Sequence, residues 1–540
     1  MERRTLLAAA LAMTTAGAVS ACTGGGGDDG AGGAGGAGGA DEKGSPGASA
    51  NRPPSARTSS SPAWAAFASG LTGRLVRPGD GEYATARQLY NTRFDDLKPA
   101  AVAYVAGEDD IRECLAFARR YGTPVSIRNG GHSYAGWSSG NGRLVIDVSS
   151  LDGLGDAASD GVIGAGAKLA GVYGALARKG LTIPGGSCAT VGISGLTLGG
   201  GHGVVSRAYG LTCDSLTSAT VVTADGRRLT ADAEQNQDLF WALRGAGNGN
   251  FGVVTELRFR THPATTGVAA NFNWPWSKAR SVLAAWQEWG PDQPDEIWSS
   301  FHVAVGAGGG AGGGADPTVA VSAFTLGSEA DLKNAADRLA DRAGSSASFV
   351  SLRPGTYEEA MRAYAGCAGL GEDQCRLPGT TPGRGTNGAL RRETYAATSD
   401  FFDRSLPPAG IDALLSAVRD FSRIKAADGA GSGTITLTAL GGAINRVDPL
   451  ATAFVHRRSR MLAQYVASWR PGTSGTAQRA WLKTGQGALR GHASGAAYQN
   501  YTDPSLTDWR TAYYGPAAGR LRKLKERYDP GRLFDFPQAL

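Results

Sequence analysis

The sequence predicts an α+β protein of two large domains behind a low-complexity leader. Three observations carry this. Residues 97–262 alternate strand-like and helix-like runs with Gly-rich loops between them. Residues 263–490 are rich in Trp, among them Trp274, Trp276, Trp286, Trp289 and Trp298, and hold several helical stretches. Residues 23–62 have almost no large apolar side chains, too few to offset the entropy of ordering them. A chain of 540 residues accommodates two large domains or up to four ordinary ones.

Taken in order, Arg3 and Arg4 precede an apolar run from Leu6 to Val19 and then Ser20-Ala21-Cys22. That run is too short to span a membrane, and residues 1–22 read as a signal peptide. Val19-Ser20-Ala21-Cys22 resembles a bacterial lipoprotein cleavage box, with Cys22 as the lipid-bearing residue; an ordinary signal peptide cut nearby is the alternative. The Arg pair also resembles a twin-arginine signal. The expectation is an exported protein, at the bacterial cell surface or secreted. Its contact with the membrane would run only through a lipid at Cys22, with residues 23–62 as a disordered tether.

The first domain is expected over 63–262, with its core at 97–262. Ala101–Val105 reads as a strand, and Asp109–Tyr121 as a helix with apolar residues at Ile111, Leu115 and Ala118, stopped by Gly122. Pro124–Arg128, Leu144–Val148 and Val162-Ile163 read as strands, and Lys168–Lys179 as a helix closed by Gly180. Ser218–Thr223 and Arg228–Thr230 form a hairpin around Asp225-Gly226, and Val253–Phe259 is a further strand. The second domain, 263–490, reads as α+β with a mobile Gly-rich loop at 306–314. Residues 491–540 carry a helix near Gly519–Tyr528 and then Asp529-Pro530.

Apolar residues are 41% of the chain, enough for a normal core, and charged residues only 19%. The net charge of +6 is scattered, with no basic run interleaved with aromatics, so a nucleic-acid partner is not expected. The six histidines lack metal-site spacing and no Cys-x-x-Cys occurs, so no metal is expected either. Cys367 and Cys375 are close enough to pair outside the cell, whereas the state of Cys114 and Cys213 is open.

Two Gly-rich segments suggest chemistry. Arg128-Asn129-Gly130-Gly131-His132-Ser133 follows a strand, and its Gly pair lets successive N–H groups face an anion such as a pyrophosphate, with Arg128 adding charge. Gly186-Ser187-Cys188 leads through Val191, Gly192 and Gly195 to Gly199-Gly200-Gly201-His202-Gly203, a backbone-lined cradle where a planar ring could approach the thiol. Gly247-Asn248-Gly249-Asn250-Phe251-Gly252 matches G-x-G-x-x-G by letter, but a strand follows it, which excludes a Rossmann site. Gly136-Trp137-Ser138-Ser139-Gly140 lacks the strand–turn–helix elbow of a serine hydrolase.

Together with Gly249-Asn-Phe-Gly252-Val-Val254, Tyr498-Gln-Asn500-Tyr501-Thr-Asp503 and Tyr528-Asp-Pro530 with Phe534, these segments resemble the berberine bridge enzyme-like group of FAD-linked oxidoreductases, in the vanillyl-alcohol oxidase superfamily. The match runs from about residue 97 to the end. The resemblance implies a PCMH-type FAD-binding domain, an α+β substrate domain with an antiparallel sheet, and a C-terminal segment returning to the first domain. It implies FAD bonded at its 8α-methyl to His132 and at C6 to Cys188, with the remaining motif residues around it. Tyr498 would be the base that takes the substrate's hydroxyl proton, Asn500 a flavin or pocket contact, and Tyr395 and Gln464 pocket residues. Val191 matches a position that gates oxygen, which favours an oxidase releasing hydrogen peroxide over a dehydrogenase. Two positions depart from relatives: Ala517 replaces a frequent Asn, and Thr398 a common Lys, which would leave the pocket less charged.

The expected enzyme is a monomer that oxidises an alcohol or hemiacetal, with an oligosaccharide or sugar as the foremost substrate and molecular oxygen as acceptor. Trp in the second domain suits sugar stacking, and buried Trp explains it equally. The alternatives are an oxidase or dehydrogenase tailoring an aromatic or alkaloid-like metabolite, and a non-catalytic ligand-binding lipoprotein.

Overall fold

The computed structural model describes residues 61–154, 161–307 and 316–540. The signal peptide, nearly all of the tether and most of the insert at 306–314 lie outside the described residues. A helix starts at Ser61, two residues inside the expected tether, and runs to Gly70. Trp64 and Phe67, one helical turn apart, are buried and explain this. Their rings lie 4.4 and 4.5 Å from that of Phe117.

Four strands form the first sheet: β1 (Arg74–Val76), β2 (Ala101–Tyr104), β3 (Val125–Arg128) and β4 (Leu144–Asp147), in the order β1-β2-β4-β3. The pairs β2/β4 and β3/β4 are parallel. The helix Glu108–Tyr121 makes the crossover, burying Ile111, Cys114, Leu115 and Ala118. Its first turn holds three acidic residues, and Gly122 ends it with φ 64° in the left-handed region, the stop the sequence announced. A second sheet contains β5 (Val162–Gly164), β7 (Leu216–Val222), β8 (Arg228–Asp232) and β9 (Val253–Phe259) in antiparallel order β5-β9-β7-β8. The short β6 (Leu181–Thr182) pairs with β10 (His262–Pro263).

The second half is built on seven antiparallel strands: β11 (Thr266–Trp274), β12 (Ile297–Gly306), β13 (Thr318–Thr325), β14 (Phe349–Thr356), β15 (Tyr395–Phe402), β16 (Ser432–Ala439) and β17 (Met461–Ser468). Their order is β14-β11-β13-β12-β16-β17-β15. Strand alternation separates two faces. Phe301, Val303, Val321, Leu437 and Ala463 point into a core shared with the helices Ala279–Trp289, Glu329–Ala343, Pro408–Phe421 and Thr476–Leu489. The opposite face carries Trp298, Ser300, His302, Thr436 and Gln464, and it covers the cleft described below. The tryptophans resolve accordingly. Trp274, Trp286 and Trp289 are core, Trp276 packs at its edge, and of these five only Trp298 reaches the cleft.

The last residues return to the first core, where Trp509, Tyr513, Tyr514, Leu521 and Phe534 join Phe240, Trp241 and Phe251. Cys367 and Cys375 form a disulfide, and Cys114 and Cys213 are buried thiols. No helix among the described residues is long and apolar enough to cross a membrane.

Arg457, with its side chain at 0% exposure, grips Asp214 through both guanidinium ends at 2.7 and 2.8 Å. Asp214→Ala would strand that cation in the interior, at a cost of about 3–5 kcal/mol. A large fall in the denaturant midpoint is expected, and an unchanged midpoint would contradict this role.

Candidate active site

A cavity of about 400 Å3 lies between the polar face of the seven-stranded sheet and the Gly-rich loops. Asn129, Gly130, Gly131, His132 and Ser133 line it from the loop after β3. Gly186, Ser187, Cys188, Val191, Gly192, Gly195 and Gly203 line it from the second loop. Tyr498 and Asn500, with the weaker candidates Tyr395 and Gln464, complete the residues the sequence nominated there.

The first loop is a nest. The backbone N–H groups of Gly130, Gly131, His132 and Ser133 donate to no acceptor among the described residues, and Gly131 takes φ 69° to turn them together. A Cβ on Gly130 would stand 2.4 Å from Thr190 O and 2.6 Å from Gly192 N, so the two loops touch through bare backbone. Side chains brace them from behind. Asn129 Nδ2 donates to Ala165 O at 2.5 Å, while Lys168 Nζ donates to Asn129 Oδ1 at 2.5 Å and Ser149 Oγ at 3.0 Å. Burial lowers the Lys168 ammonium to about 8.

His132 stacks on Tyr90 at 4.0 Å, with its Nε2 2.8 Å from Thr190 Oγ1. Burial and the Lys168 charge hold its imidazole down to about 3, so it is neutral. Its Nδ1 has no hydrogen-bond partner among the described residues, and in the tautomer whose Nε2–H donates to Thr190 Oγ1 it holds a lone pair for bond formation. Cys188 lines the same cleft from the second loop.

Four nominated residues sit elsewhere. Arg128 does not face the cleft. Its register partner on β4 is Asp147, and the two form a buried ion pair at 2.5 Å that fixes the strand end beneath the nest. Gly200, at φ 123°, leaves room for Phe454 and Tyr498, since a Cβ there would meet Phe454 at 2.8 Å. Gly252 packs against Val221 and Val222, and Val254 is buried on β9. Thr398 is likewise no pocket residue. It lies on the helix side of the sheet and donates to Asp503 Oδ2 at 2.8 Å, so its replacement of a Lys says nothing about charge in the cleft. Ala517 is buried and also absent from the cavity wall.

The Tyr498 hydroxyl accepts hydrogen bonds from Gly201 N–H and Asn500 Nδ2, each at 2.8 Å. Asn500 is itself held by Leu196 O at 2.9 Å and by Asn248 Nδ2 at 2.8 Å. Burial pushes the Tyr498 phenol well above its ordinary range, and the two donors oppose that rise. Sequence reasoning missed Tyr134 and Tyr501, whose rings stack 5.2 Å apart, although Tyr134 directly follows one quoted motif and Tyr501 lies in another. It also missed Ser300, His302, Thr436 and Thr438. Their signal was polar residues at every second position of two strands, the pattern of a sheet face turned towards a polar cavity.

His202, His302 and His456 are held by burial at about 4, 4 and 3, below the ordinary 6.5. Between those values the unfolded chain binds protons that the folded chain refuses, so stability falls as pH drops from 6.5 towards 4. Asp400, raised by burial to about 7, acts in the opposite sense, losing stability as pH rises towards 7. His132 and His262, lowered to about 3 and 4, act in the same sense as these three, so with five imidazoles against one carboxyl the melting temperature is expected to fall between pH 7 and pH 4.5. A level profile in thermal scans would be inconsistent with neutral buried imidazoles.

Comparison with known proteins gives the same outline. The FAD binding domain model matches residues 99–232, and the model for berberine and berberine-like proteins matches residues 497–540. The uncharacterised FAD-linked oxidoreductase YgaK of Bacillus subtilis (strain 168) is 31% identical over 87% of this chain and 97% of its own. The xylooligosaccharide oxidase of Thermothelomyces thermophilus is 30% identical over 85% of this chain and 90% of its own. The solved structure of Physcomitrella patens BBE-like 1 superposes with TM-score 0.77 at 28% identity, over 88% of this chain and 98% of that one.

Proposed function

The chain belongs to the berberine bridge enzyme-like family of FAD-linked oxidoreductases, and on that premise we propose that it oxidises the hemiacetal hydroxyl of an oligosaccharide or sugar, with molecular oxygen as the final acceptor and hydrogen peroxide released. The observation that carries this is the placement of the Tyr498 hydroxyl in one cleft between an amide nest and a polar sheet face. The residues fit FAD. The nest suits an anionic pyrophosphate, the glycine loops leave room for a planar ring, and the neutral His132 offers a nitrogen for attachment.

Bound FAD supplies the acceptor, at N5, of the hydride from the substrate carbon. The protein does the rest. Its sheet face holds the substrate, and Tyr498 Oη takes the hydroxyl proton as the C–H bond is lost, which converts a hemiacetal to a lactone. Gly201 N–H and Asn500 Nδ2 both donate to that oxygen and so favour its charged form. Val191 lines the cleft, consistent with a role beside the path for oxygen. The similarity to a xylooligosaccharide oxidase supports a sugar substrate. Export as a lipoprotein through Cys22 belongs to the same proposal and rests on the sequence alone.

The test is peroxide release by the purified protein across xylo-, cello- and chitooligosaccharides and across aromatic alcohols. Sugar-dependent peroxide with rapid reoxidation of the reduced protein in air is expected. Turnover confined to aromatic alcohols would replace this reading with the tailoring enzyme, slow reoxidation would make it a dehydrogenase, and a colourless inert protein would make it a binding lipoprotein.

A further inference from the structure

His302 stands at the centre of the polar sheet face, on β12. Its Nε2 lies 2.7 Å from Ser300 Oγ, and its Nδ1 lies 3.1 Å from Thr436 Oγ1 on the neighbouring β16. All three side chains line the cleft. In register, His302 pairs with Thr436, and Thr436 with Gln464, whose amide donates to Tyr134 Oη at 2.6 Å. A continuous polar row therefore runs across three strands to the wall that carries the tyrosines.

A neutral imidazole has one N–H and one lone pair. One flanking hydroxyl must accept the ring's proton, which frees its own hydrogen to donate into the cleft. The other must donate to the ring, which leaves it only lone pairs to offer. The ring thus fixes one donor and one acceptor on its two sides, on adjacent strands. Burial holds this imidazole at about 4, so the pairing persists at neutral pH. Among the described residues, the cleft-lining side chains on this face carry no charge at neutral pH, among them Trp298, Ser322, Thr438 and Tyr395. Arg143 and Asp535, the charged lining residues, belong to the opposite wall with Trp137 and Phe536.

Adjacent sugar hydroxyls each donate and accept, so they satisfy such a pair. A carboxylate offers only acceptors and an ammonium only donors, and either would also be buried without a counter-charge. We propose that Ser300, His302 and Thr436 form a specificity subsite that takes a neutral vicinal diol of the sugar and rejects uronic acids and amino sugars. The proposal rests on the sugar-oxidase reading above.

The experiment is steady-state kinetics of the holoenzyme with cellobiose and xylobiose against digalacturonate and the glucosamine disaccharide. Neutral disaccharides should exceed both charged ones at least about a hundredfold in kcat/KM, as expected for a site that must bury an unpaired charge. His302→Phe should raise KM about tenfold or more with kcat nearly unchanged, and His302→Gln, which keeps a donor and an acceptor, should recover most of that loss. Ser300→Ala and Thr436→Val should each raise KM, and they keep the test open if His302→Phe fails to fold. Equal use of charged and neutral sugars, or a KM unmoved in all these variants, overturns the subsite while leaving the oxidase reading intact. Wild-type silence towards every sugar overturns the oxidase reading, and the subsite with it.

Discussion

Tyr498→Phe is expected to lower kcat by about 10²- to 10⁴-fold, the usual contribution of a positioned general base. The substitution keeps the ring that packs against Phe401 and Phe454 and removes one oxygen. That oxygen has two donors, Gly201 N–H and Asn500 Nδ2, already directed at it. Two donors are what a phenolate needs, whereas burial resists the charge and leaves the phenol protonated in the resting protein. The base form is therefore a minor species at neutral pH, and the wild-type kcat/KM should climb as pH rises. In Tyr498→Phe the profile should be low and flat. Leaving the Gly201 and Asn500 donors without an acceptor also costs about 1–3 kcal/mol of stability, so flavin content and melting temperature should be measured alongside. A Phe variant with full activity and an unchanged pH profile would remove Tyr498 from the chemistry and leave it as a packing residue of the cleft.

The parts of this protein legible in the sequence were those whose cause is local. The helix Glu108–Tyr121 was announced by its apolar spacing and Gly122, and the β7–β8 hairpin by Asp225-Gly226. The motif loops were legible for the same reason, since a Gly pair after a strand has few other uses. Arg128 shows where this stops. Its role depends on lying beside Asp147 across a parallel strand pair, a relation set by pairing 19 residues away and invisible in the motif. The seven-stranded sheet is the larger case. Its order β14-β11-β13-β12-β16-β17-β15 joins segments more than 100 residues apart, and only that order puts His302 beside Thr436. Thr398 was misplaced because a strand's two faces differ by one residue, and parity cannot be fixed before the packing partner is known.

The second large effect concerns how the flavin is held. Acid precipitation of the wild-type holoenzyme should leave a yellow pellet, since a covalent bond survives unfolding and a nest of N–H groups does not. His132 is equipped for such a bond by its neutral ring, its Thr190 and Tyr90 contacts, and an Nδ1 without a partner among the described residues. Cys188 lines the same cleft from the second loop, where a thioether to flavin C6 would be the second attachment. The two attachments therefore make different predictions. With both bonds formed, His132→Ala and Cys188→Ala each keep nearly all the flavin in the pellet, and only the double variant releases it. With His132 alone bonded, His132→Ala empties the pellet and Cys188→Ala changes nothing. Mass spectrometry of the Cys188 peptide adds an independent reading, by showing whether it carries flavin. Two attachment points would fix the ring without covering its face, which leaves the polar sheet free to receive a long sugar chain.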